Sequence, residues 1–263
     1  MNGEPDDAQP DYGDDGFAQP TGRAAEIDAH VLGNLAEYLE RYRSKATELT
    51  GNPHYLSADI AKELFPEYAA SPEARTRNST IFQAASTRIK EAVLRSALMQ
   101  SASGTPQITF MAGGTGAGKS TLAPRQGVVY DGNLASIKGA RRKIDAALDS
   151  GRLVRLLYVH RDPLQAYQHG VLPRALRYGR IVPVDAHVST HVGAFITFKA
   201  LKRYYKNNSR VGMAGLLPPG PPPDSHQLRE SILRLIQGEL EKGSIPELMA
   251  EQALGGRRAF RAS

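Results

Sequence analysis

The chain contains the stretch Gly113-Gly114-Thr115-Gly116-Ala117-Gly118-Lys119-Ser120, which directly follows the apolar run 108–112. The spacing satisfies the Walker A pattern, and the predicted order of strand, glycine-rich loop and helix is the context that this pattern requires. Glycines let backbone N–H groups turn towards phosphate oxygens, because residues with a Cβ atom resist that conformation. The stretch therefore predicts a phosphate cradle on an α/β fold. The expected nucleotide-binding residues are Gly113, Gly114, Thr115, Gly116, Ala117, Gly118, Lys119, Ser120 and Thr121.

Three side chains have predicted roles around the phosphates. Lys119 is expected to reach the β- and γ-phosphates, and the Ser120 hydroxyl is expected to ligate Mg²⁺ at the helix N-terminus. Asp131 ends the apolar run 128–130 and is a second candidate magnesium ligand, although an aspartate there is also a common turn former. A Walker A loop does not separate kinases from ATPases or GTPases. No Asn-Lys-x-Asp segment that would specify guanine is present, so ATP with Mg²⁺ is the expected cofactor.

Composition narrows the class of protein. The chain has 263 residues, 41% of them hydrophobic, and a net charge of +6. Residues 1–22 carry six acids and no base, so the remainder carries +12 once those six charges are set aside. A basic body attracts polyanions, but no nucleic-acid recognition motif accompanies the charge, and nucleotide phosphates explain it equally well. The absence of cysteine excludes disulfides and cysteine-ligated zinc. We expect no signal peptide, no membrane span and a cytoplasmic location.

Hydrophobic periodicity predicts an α/β fold with a mainly parallel, P-loop kinase-like sheet and helical additions at both ends. Three apolar runs are typical of strands: 107–111, 128–130 and 153–159. Helices are expected at 24–49, at 72–99 with Ser71 as N-cap, and at 227–240 after a Pro/Gly linker at 216–223, and Gly151 is placed for a C-cap. The predicted organisation is a disordered acidic tail (1–22), a kinase domain (23–215), and a linker with a C-terminal helix (216–263).

A cluster of arginines follows the third predicted strand. Arg174, Arg177 and Arg180 would share one face if their segment is helical, and guanidinium groups bind the oxygens of a transferring phosphoryl group bidentately. They could close over a triphosphate as a lid, or form an ordinary solvated basic face. His187 and His191 have a spacing that suits two metal ligands on a helix. No accompanying glutamate completes a zinc-hydrolase motif, so we expect structural or substrate-contacting roles for them.

In combination, these motifs resemble the zeta-toxin family of bacterial kinases, in the branch carried by phages and plasmids. The resemblance covers about residues 53–212. Its segments are Ser57 to Tyr68, the Walker A loop, Val129 to Leu134, Tyr158 to Pro163, Leu172 to Ala175, and Gly179 to Pro183 continuing to His191. It implies a fold similar to small-molecule kinases and transfer of the ATP γ-phosphate to the 3′-hydroxyl of the amino sugar in UDP-N-acetylglucosamine. It also implies a separate antitoxin protein that blocks the nucleotide site.

This sequence departs from the family's usual order at two places. The family's general-base aspartate follows the P-loop, whereas the similar segment here, with Asp59, precedes it as though the unit had been permuted. The resemblance implies that Asp59 is the general base and that Arg174 and Arg180 belong to the lid. Together with Lys119, these three residues are the expected catalytic residues. Asp59 could instead N-cap the helix that begins at residue 60. Pro124 falls in the expected P-loop helix, so that helix should have only one or two turns.

Three functions are compatible with these residues. The first is a kinase that acts on a nucleotide sugar. The second is a kinase that acts on an antibiotic hydroxyl or a polynucleotide end. The third is a nucleotide-binding pseudokinase or interaction module, which the short P-loop helix favours.

Overall fold

A computed structural model describes residues 20–100 and 106–255, and most of the predicted disordered tail, residues 1–19, lies outside them. The described part contains a five-stranded, all-parallel sheet in the order β1-β3-β2-β4-β5. Its strands are Tyr55–Ser57 (β1), Gln107–Ala112 (β2), Val128–Asp131 (β3), Leu153–Tyr158 (β4) and Val211–Ala214 (β5). The predicted α/β class is confirmed, and so are the three predicted strands. The short edge strands β1 and β5 were not predicted.

The helices flank this sheet. In chain order they are Arg23–Gly33 (α1), Leu35–Thr50 (α2), Ala58–Lys62 (α3), Pro66–Ala69 (α4), Pro72–Arg77 (α5), Gln83–Met99 (α6), Lys119–Leu122 (α7), Ile137–Asp149 (α8), Pro163–Ala166 (α9), Leu172–Tyr178 (α10), Val184–Tyr204 (α11), Ser225–Glu241 (α12) and Glu247–Ala253 (α13). A π-helical turn, Tyr167–Val171, joins α9 to α10. The predicted C-terminal helix is confirmed as α12, and α13 follows it unpredicted. Gly151 lies just past α8 with φ 82°, as expected for a helix end.

Two helices predicted as continuous are broken, which corrects the sequence analysis. The helix predicted at 24–49 stops at Asn34, whose φ of −121° and ψ of 27° leave helical geometry and whose side-chain amide donates to the carbonyl of His30. Asparagine side chains compete with the helical backbone in this way. The helix predicted at 72–99 is interrupted at 78–82, where Lys62 rather than a helical amide binds the carbonyl of Ser79. The predicted Ser71 N-cap is confirmed, since its hydroxyl accepts from Ala74 N.

The P-loop helix α7 is a single turn, as predicted. Ala123 is already extended, with φ −66° and ψ 140°, because the residue before a proline is disfavoured in the helical region. One expectation about this region is wrong. A permuted chain order predicts the P-loop strand β2 beside the strand or loop that ends at Asp59, but β3 lies between β1 and β2 and pairs with both.

Two hydrophobic clusters hold the described elements together. The larger one lies between the sheet and helices α1–α3, α6, α8 and α11. The second joins α9, the π-helical turn, α10 and the start of α11 to the C-terminal helices α12 and α13. α10, the helix that carries Arg174, therefore packs against the C-terminal helices α12 and α13. The proposed domain boundaries stay a prediction.

Within residues 20–100 and 106–255, no helix combines the length and hydropathy needed to cross a bilayer.

Candidate active site

One cavity of about 2820 Å³ lies at the carboxyl ends of β1, β2 and β3. Parallel sheets place ligand sites at this edge, because the loops that follow the strands converge there. The cavity is lined by six of the predicted site residues together with the adjoining loop: Asp59, Lys119, Ser120, Asp131, Arg174 and Arg180. Side chains distant in sequence thus face one space.

The glycines of the cradle are needed for close packing as well as for conformation. A Cβ atom on Gly113, whose φ is 136°, would lie 2.3 Å from the carbonyl oxygen of Val159. On Gly114 it would lie 2.1 Å from the ring of His191, and on Gly116 it would lie 2.6 Å from the carbonyl oxygen of Ala166. The loop can therefore keep this shape only with glycine at these positions.

Not all of the predicted cradle faces the cavity. The cavity is lined by Thr115, Gly116, Gly118, Lys119, Ser120 and Thr121. The other three cradle residues, Gly113, Gly114 and Ala117, are buried and do not line it. In the part of the chain that the structure describes, the backbone N–H groups of Gly116 and Gly118 have no protein acceptor. Unpaired amides at a helix N-terminus suit an anion, so the loop fits a phosphate ligand.

The Lys119 side chain folds back over its own loop. Its Nζ donates to the carbonyl oxygens of Gly113 (2.9 Å) and Gly114 (2.8 Å) and to Oδ1 of Asn133 (2.9 Å). Asn133 was not assigned a role from the sequence, although it belongs to a segment that carries the family resemblance. These three acceptors hold the ammonium group at the phosphate cradle.

Burial lowers the pKa of Lys119 to about 8, against the opposite influence of the carboxylates of Asp131 and Asp59. Desolvation disfavours the charged form of a lysine, and nearby negative charges favour it. Asp59 therefore lies close enough to Lys119 for the two charges to interact across the cavity.

Two histidines of α11 brace the loop from the side away from the cavity. His187 contacts the hydroxyl of Thr115 through Nδ1 (2.7 Å) and the carbonyl oxygen of Pro163 through Nε2 (2.8 Å). His191 contacts the carbonyl oxygen of Thr115 through Nε2 (2.9 Å), and Thr115 N donates to the Thr190 hydroxyl. Because a carbonyl only accepts, both Nε2 atoms carry a proton, and Nδ1 of neutral His187 accepts from Thr115.

Burial lowers the pKa of His187 to about 4 and the pKa of His191 to about 3. Both rings are therefore neutral near pH 7 and act as hydrogen-bonding supports of the loop. Within the described residues, no group of three or more histidine, aspartate or glutamate side chains is arranged to hold a metal ion. The structural interpretation of this histidine pair agrees with these contacts.

Asp131 ends β3 and, like Ser120, lines the cavity. The hydroxyl of Tyr55, on the neighbouring strand β1, donates to Oδ2 of Asp131 at 2.9 Å. This bond orients the carboxylate, and no sequence motif indicated a role for Tyr55. Mg²⁺ commonly uses one or two protein oxygens and completes its shell with water and substrate phosphates, so Ser120 and Asp131 fit that ion.

Asp59 lies in the first turn of α3, and Ser57 is the residue that caps this helix by accepting from Asp59 N. The alternative of Asp59 as the N-cap is therefore wrong. Its side chain, 47% exposed along the cavity wall, accepts from Arg174 Nη2 at 3.0 Å. Burial would raise the pKa of Asp59, but the charges of Arg174, Lys62 and Arg180 outweigh it and lower that pKa to about 2. The carboxylate is ionised at neutral pH.

The arginines do not share one helical face, which corrects the sequence analysis. α10 ends at Gly179, whose φ is 74°, and Arg180 lies beyond it. Arg174 pairs with Asp59, whereas Arg180 Nη2 donates to Oε1 of Glu63 at 2.7 Å. Arg177 is exposed and lies outside the cavity. The turn at Gly179 is what brings Arg180 back towards the cavity beside Arg174.

Residues 124–213 match the family described as Zeta toxin. We refer to these residues, which are less than half of the chain, as the zeta toxin segment because of this similarity. The match agrees with the family resemblance drawn from the motifs, as does the P-loop kinase-like fold, and the branch within the family stays a prediction. The zeta toxin segment contains Asp131, Arg174 and Arg180, whereas the Walker A loop and Asp59 precede it along the chain. A search of curated proteins found no match. The similarity of this segment to zeta toxins supports a nucleotide-dependent, kinase-like activity.

Proposed function

We propose that this chain is an ATP-dependent kinase that transfers the γ-phosphate to a hydroxyl of a small acceptor, most simply a nucleotide sugar such as UDP-N-acetylglucosamine. One observation carries the proposal. Asp59, Lys119, Arg174 and Arg180 line a single cavity beside the phosphate cradle. Phosphoryl transfer needs this set, because its catalysis consists largely of positioning and electrostatic stabilisation.

The unpaired amides of Gly116 and Gly118 and the ammonium group of Lys119 would hold the phosphates of ATP. The Ser120 hydroxyl and the Asp131 carboxylate would hold Mg²⁺. When bound, ATP·Mg²⁺ supplies a phosphoryl group whose charge is partly neutralised by the metal. The protein's own contribution is a preformed ring of donors around that group.

Asp59 is proposed to orient the acceptor hydroxyl and to take its proton. A general base has to be ionised and within hydrogen-bond reach of the hydroxyl. Arg174 occupies one carboxylate oxygen of Asp59, so the acceptor and Arg174 compete for this group. If Arg174 turns to the transferring phosphoryl group, Asp59 loses the charge that lowers its pKa most strongly and becomes a better base.

The position of Asp59 before the P-loop is proposed to reflect a permuted chain order. β1 and α3 precede the P-loop in sequence, yet α3, like the P-loop, follows the carboxyl end of a strand of the sheet, and β1 pairs with the strand that ends at Asp131. The Asp59–Arg174 contact links this early unit to the zeta toxin segment across 115 residues. The unit can therefore serve the site from either place in the chain.

A phosphate-bearing acceptor such as a nucleotide sugar is compatible with the basic residues of the cavity. Beyond the cradle, its lining includes Lys138, Arg141 and Arg142 as well as Asp145 and Asp185. A second, phosphate-bearing ligand beside ATP is compatible with that lining. A partner antitoxin, as the family suggests, stays a prediction.

The deciding experiment incubates the purified chain with ATP, Mg²⁺ and a panel of nucleotide sugars, and follows products by mass spectrometry. We expect a singly phosphorylated nucleotide sugar that the Lys119→Ala variant does not form. Full activity in that variant would contradict the kinase mechanism. The panel also includes an antibiotic with a free hydroxyl and a DNA end. Phosphorylation of either one would show that the acceptor is not a nucleotide sugar.

The second candidate is a nucleotide-binding module without turnover, and the single-turn helix α7 favours it. A short helix contributes fewer aligned peptide dipoles behind the phosphates. ATP binding measured by titration, with no product from any acceptor in the panel, would support this candidate and contradict the kinase.

A further inference from the structure

Glu63, which directly follows α3, lies outside the cavity and binds two arginines. Arg75 forms a two-pronged contact with it, from Nε to Oε1 (3.1 Å) and from Nη2 to Oε2 (2.9 Å). Arg180 donates from Nη2 to the same Oε1 at 2.7 Å. The side chain of Glu63 is only 9% exposed. The arginine fork fixes the carboxylate, which in turn presents one oxygen to Arg180.

The two arginines that line the cavity are held differently. Arg180 is 27% exposed and belongs to the buried cluster with Glu63 and Arg75. Arg174 is 45% exposed and makes one ion pair, to an aspartate that is equally open. Exposed ion pairs contribute little and exchange readily, whereas a nearly buried carboxylate with two guanidinium partners is costly to break. Arg174 can leave its partner more easily than Arg180 can.

The backbone before Arg180 is also tied to the helix that carries Arg75. The Thr76 hydroxyl donates to the carbonyl oxygen of Gly179 at 3.1 Å. A Cβ atom on Gly179 would lie 1.8 Å from the carbonyl oxygen of Pro72, so the turn packs directly against the start of α5. Both the side chain and the preceding backbone of Arg180 are therefore attached to the segment 63–76.

We propose that Glu63 is a positioning residue that fixes Arg180 at the cavity, so that the site has one stationary arginine, Arg180, and one mobile arginine, Arg174. The assignment rests on the proposed function, since it gives Arg180 a role towards the transferring phosphoryl group. Burial opposes ionisation of Glu63, but hydrogen bonds from Arg75 and Arg180 lower its pKa below the usual range. Glu63 is thus charged when it holds Arg180.

The test is a double-mutant cycle between Glu63→Gln and Arg180→Ala. A glutamine has one acceptor oxygen instead of two and no negative charge, so it cannot bind both prongs of Arg75 and Arg180 together, and the fixed position of Arg180 is weakened. We expect Glu63→Gln to lower kcat about 10- to 100-fold, the scale of a misplaced catalytic group, and to weaken the binding of ATP·Mg²⁺. We expect the double variant to be no slower than Arg180→Ala alone, because Glu63 acts through Arg180.

The matched control is Glu67→Gln, which removes a 59% exposed glutamate paired with Arg23 and should leave kcat unchanged. Independent, multiplying effects of Glu63→Gln and Arg180→Ala, or an unchanged kcat in Glu63→Gln, would overturn the assignment. If Glu63→Gln does not fold, Arg75→Lys tests the same link, because lysine cannot form the fork. We then expect a lower kcat in a folded protein, and an unchanged kcat would again overturn it.

The cycle is also measured on the dissociation constant for ATP·Mg²⁺, which needs no acceptor. If the wild-type chain transfers phosphate to nothing, the proposed function fails, and the coupling of Glu63 to Arg180 is still read from nucleotide affinity. Non-additive losses of affinity support the positioning role. Additive losses, or no loss in either single variant, overturn it.

Discussion

Arg174 donates a hydrogen bond from Nη2 to Oδ2 of Asp59 at 3.0 Å, although 115 residues separate them in the chain. The contact joins the segment before the P-loop to the helix that follows the π-helical turn. Arg174 is also the charge that lowers the pKa of Asp59 most strongly. Its side chain can move, because both partners of the ion pair are nearly half exposed.

Arg174→Ala should lower turnover and shift the acid limb of the pH–rate profile upward. Removing this guanidinium raises the pKa of Asp59 from about 2, so Asp59 becomes protonated, and inactive as a base, at a higher pH than in the wild type. The measurement is kcat/KM between pH 3 and 7. Arg177→Ala, which removes an exposed arginine outside the cavity, is the control. A true arginine finger contributes about 10³–10⁵ in rate. A decrease in kcat of less than about tenfold would therefore show that Arg174 belongs to an ordinary solvated basic surface.

Arg174→Ala and Arg180→Ala should differ in stability. Arg174 makes an exposed ion pair, so its loss should change the free energy of unfolding by about 0–1 kcal/mol. Arg180→Ala removes a hydrogen bond between charged groups at a nearly buried glutamate and should cost about 1.5–3 kcal/mol. Urea unfolding of both variants measures the difference. Equal stability losses would show that the two arginines are held alike.

Nucleotide affinity should fall as the pH rises through about 8. Lys119 is protonated below that pH and loses its charge above it, and only the ammonium attracts phosphates. ATP titrations from pH 6.5 to 9.5 test this, and Lys119→Arg should flatten the profile because arginine stays charged. An identical profile in Lys119→Arg would assign the titration to another group. The lowered pKa of Lys119 should also make the free energy of unfolding increase with pH between 8 and 10.5. In this range Lys119 is protonated in the unfolded chain but not in the folded chain.

Stability should fall as the pH drops from 6.5 towards 3. His187 and His191 have folded pKa values of about 4 and 3, below the ordinary 6.5, so in this window the unfolded chain binds more protons than the folded chain. Tm measured at each pH should fall less steeply in His187→Gln or His191→Gln. His30→Gln, which changes an exposed histidine of α1, is the control. Parallel curves for all the variants would contradict the assignment.

The sequence by itself determined the phosphate cradle, the parallel α/β class and the single turn of α7. Each depends on neighbouring residues: eight positions make the Walker A loop, apolar runs make β2, β3 and β4, and Pro124 ends the helix. Local determinants can be read without a fold. The strands β1 and β5 were missed because Tyr55–Ser57 and Val211–Ala214 are not uninterrupted runs of β-branched and aromatic residues like 128–130 in β3. The breaks at Asn34 and 78–82 depend on side-chain contacts with the backbone.

Only the tertiary structure decided which side chains meet at the cavity. The family resemblance placed Asp59 there as a hypothesis, but its pairing with Arg174, the separation of Arg180 from the face of α10, and the anchoring of Arg180 by Glu63 had no signal in the sequence. These contacts join residues 115 and 117 positions apart. Their geometry follows from the position of β3 between β1 and β2 and from the turn at Gly179, and long-range packing of this kind is not encoded in any local pattern.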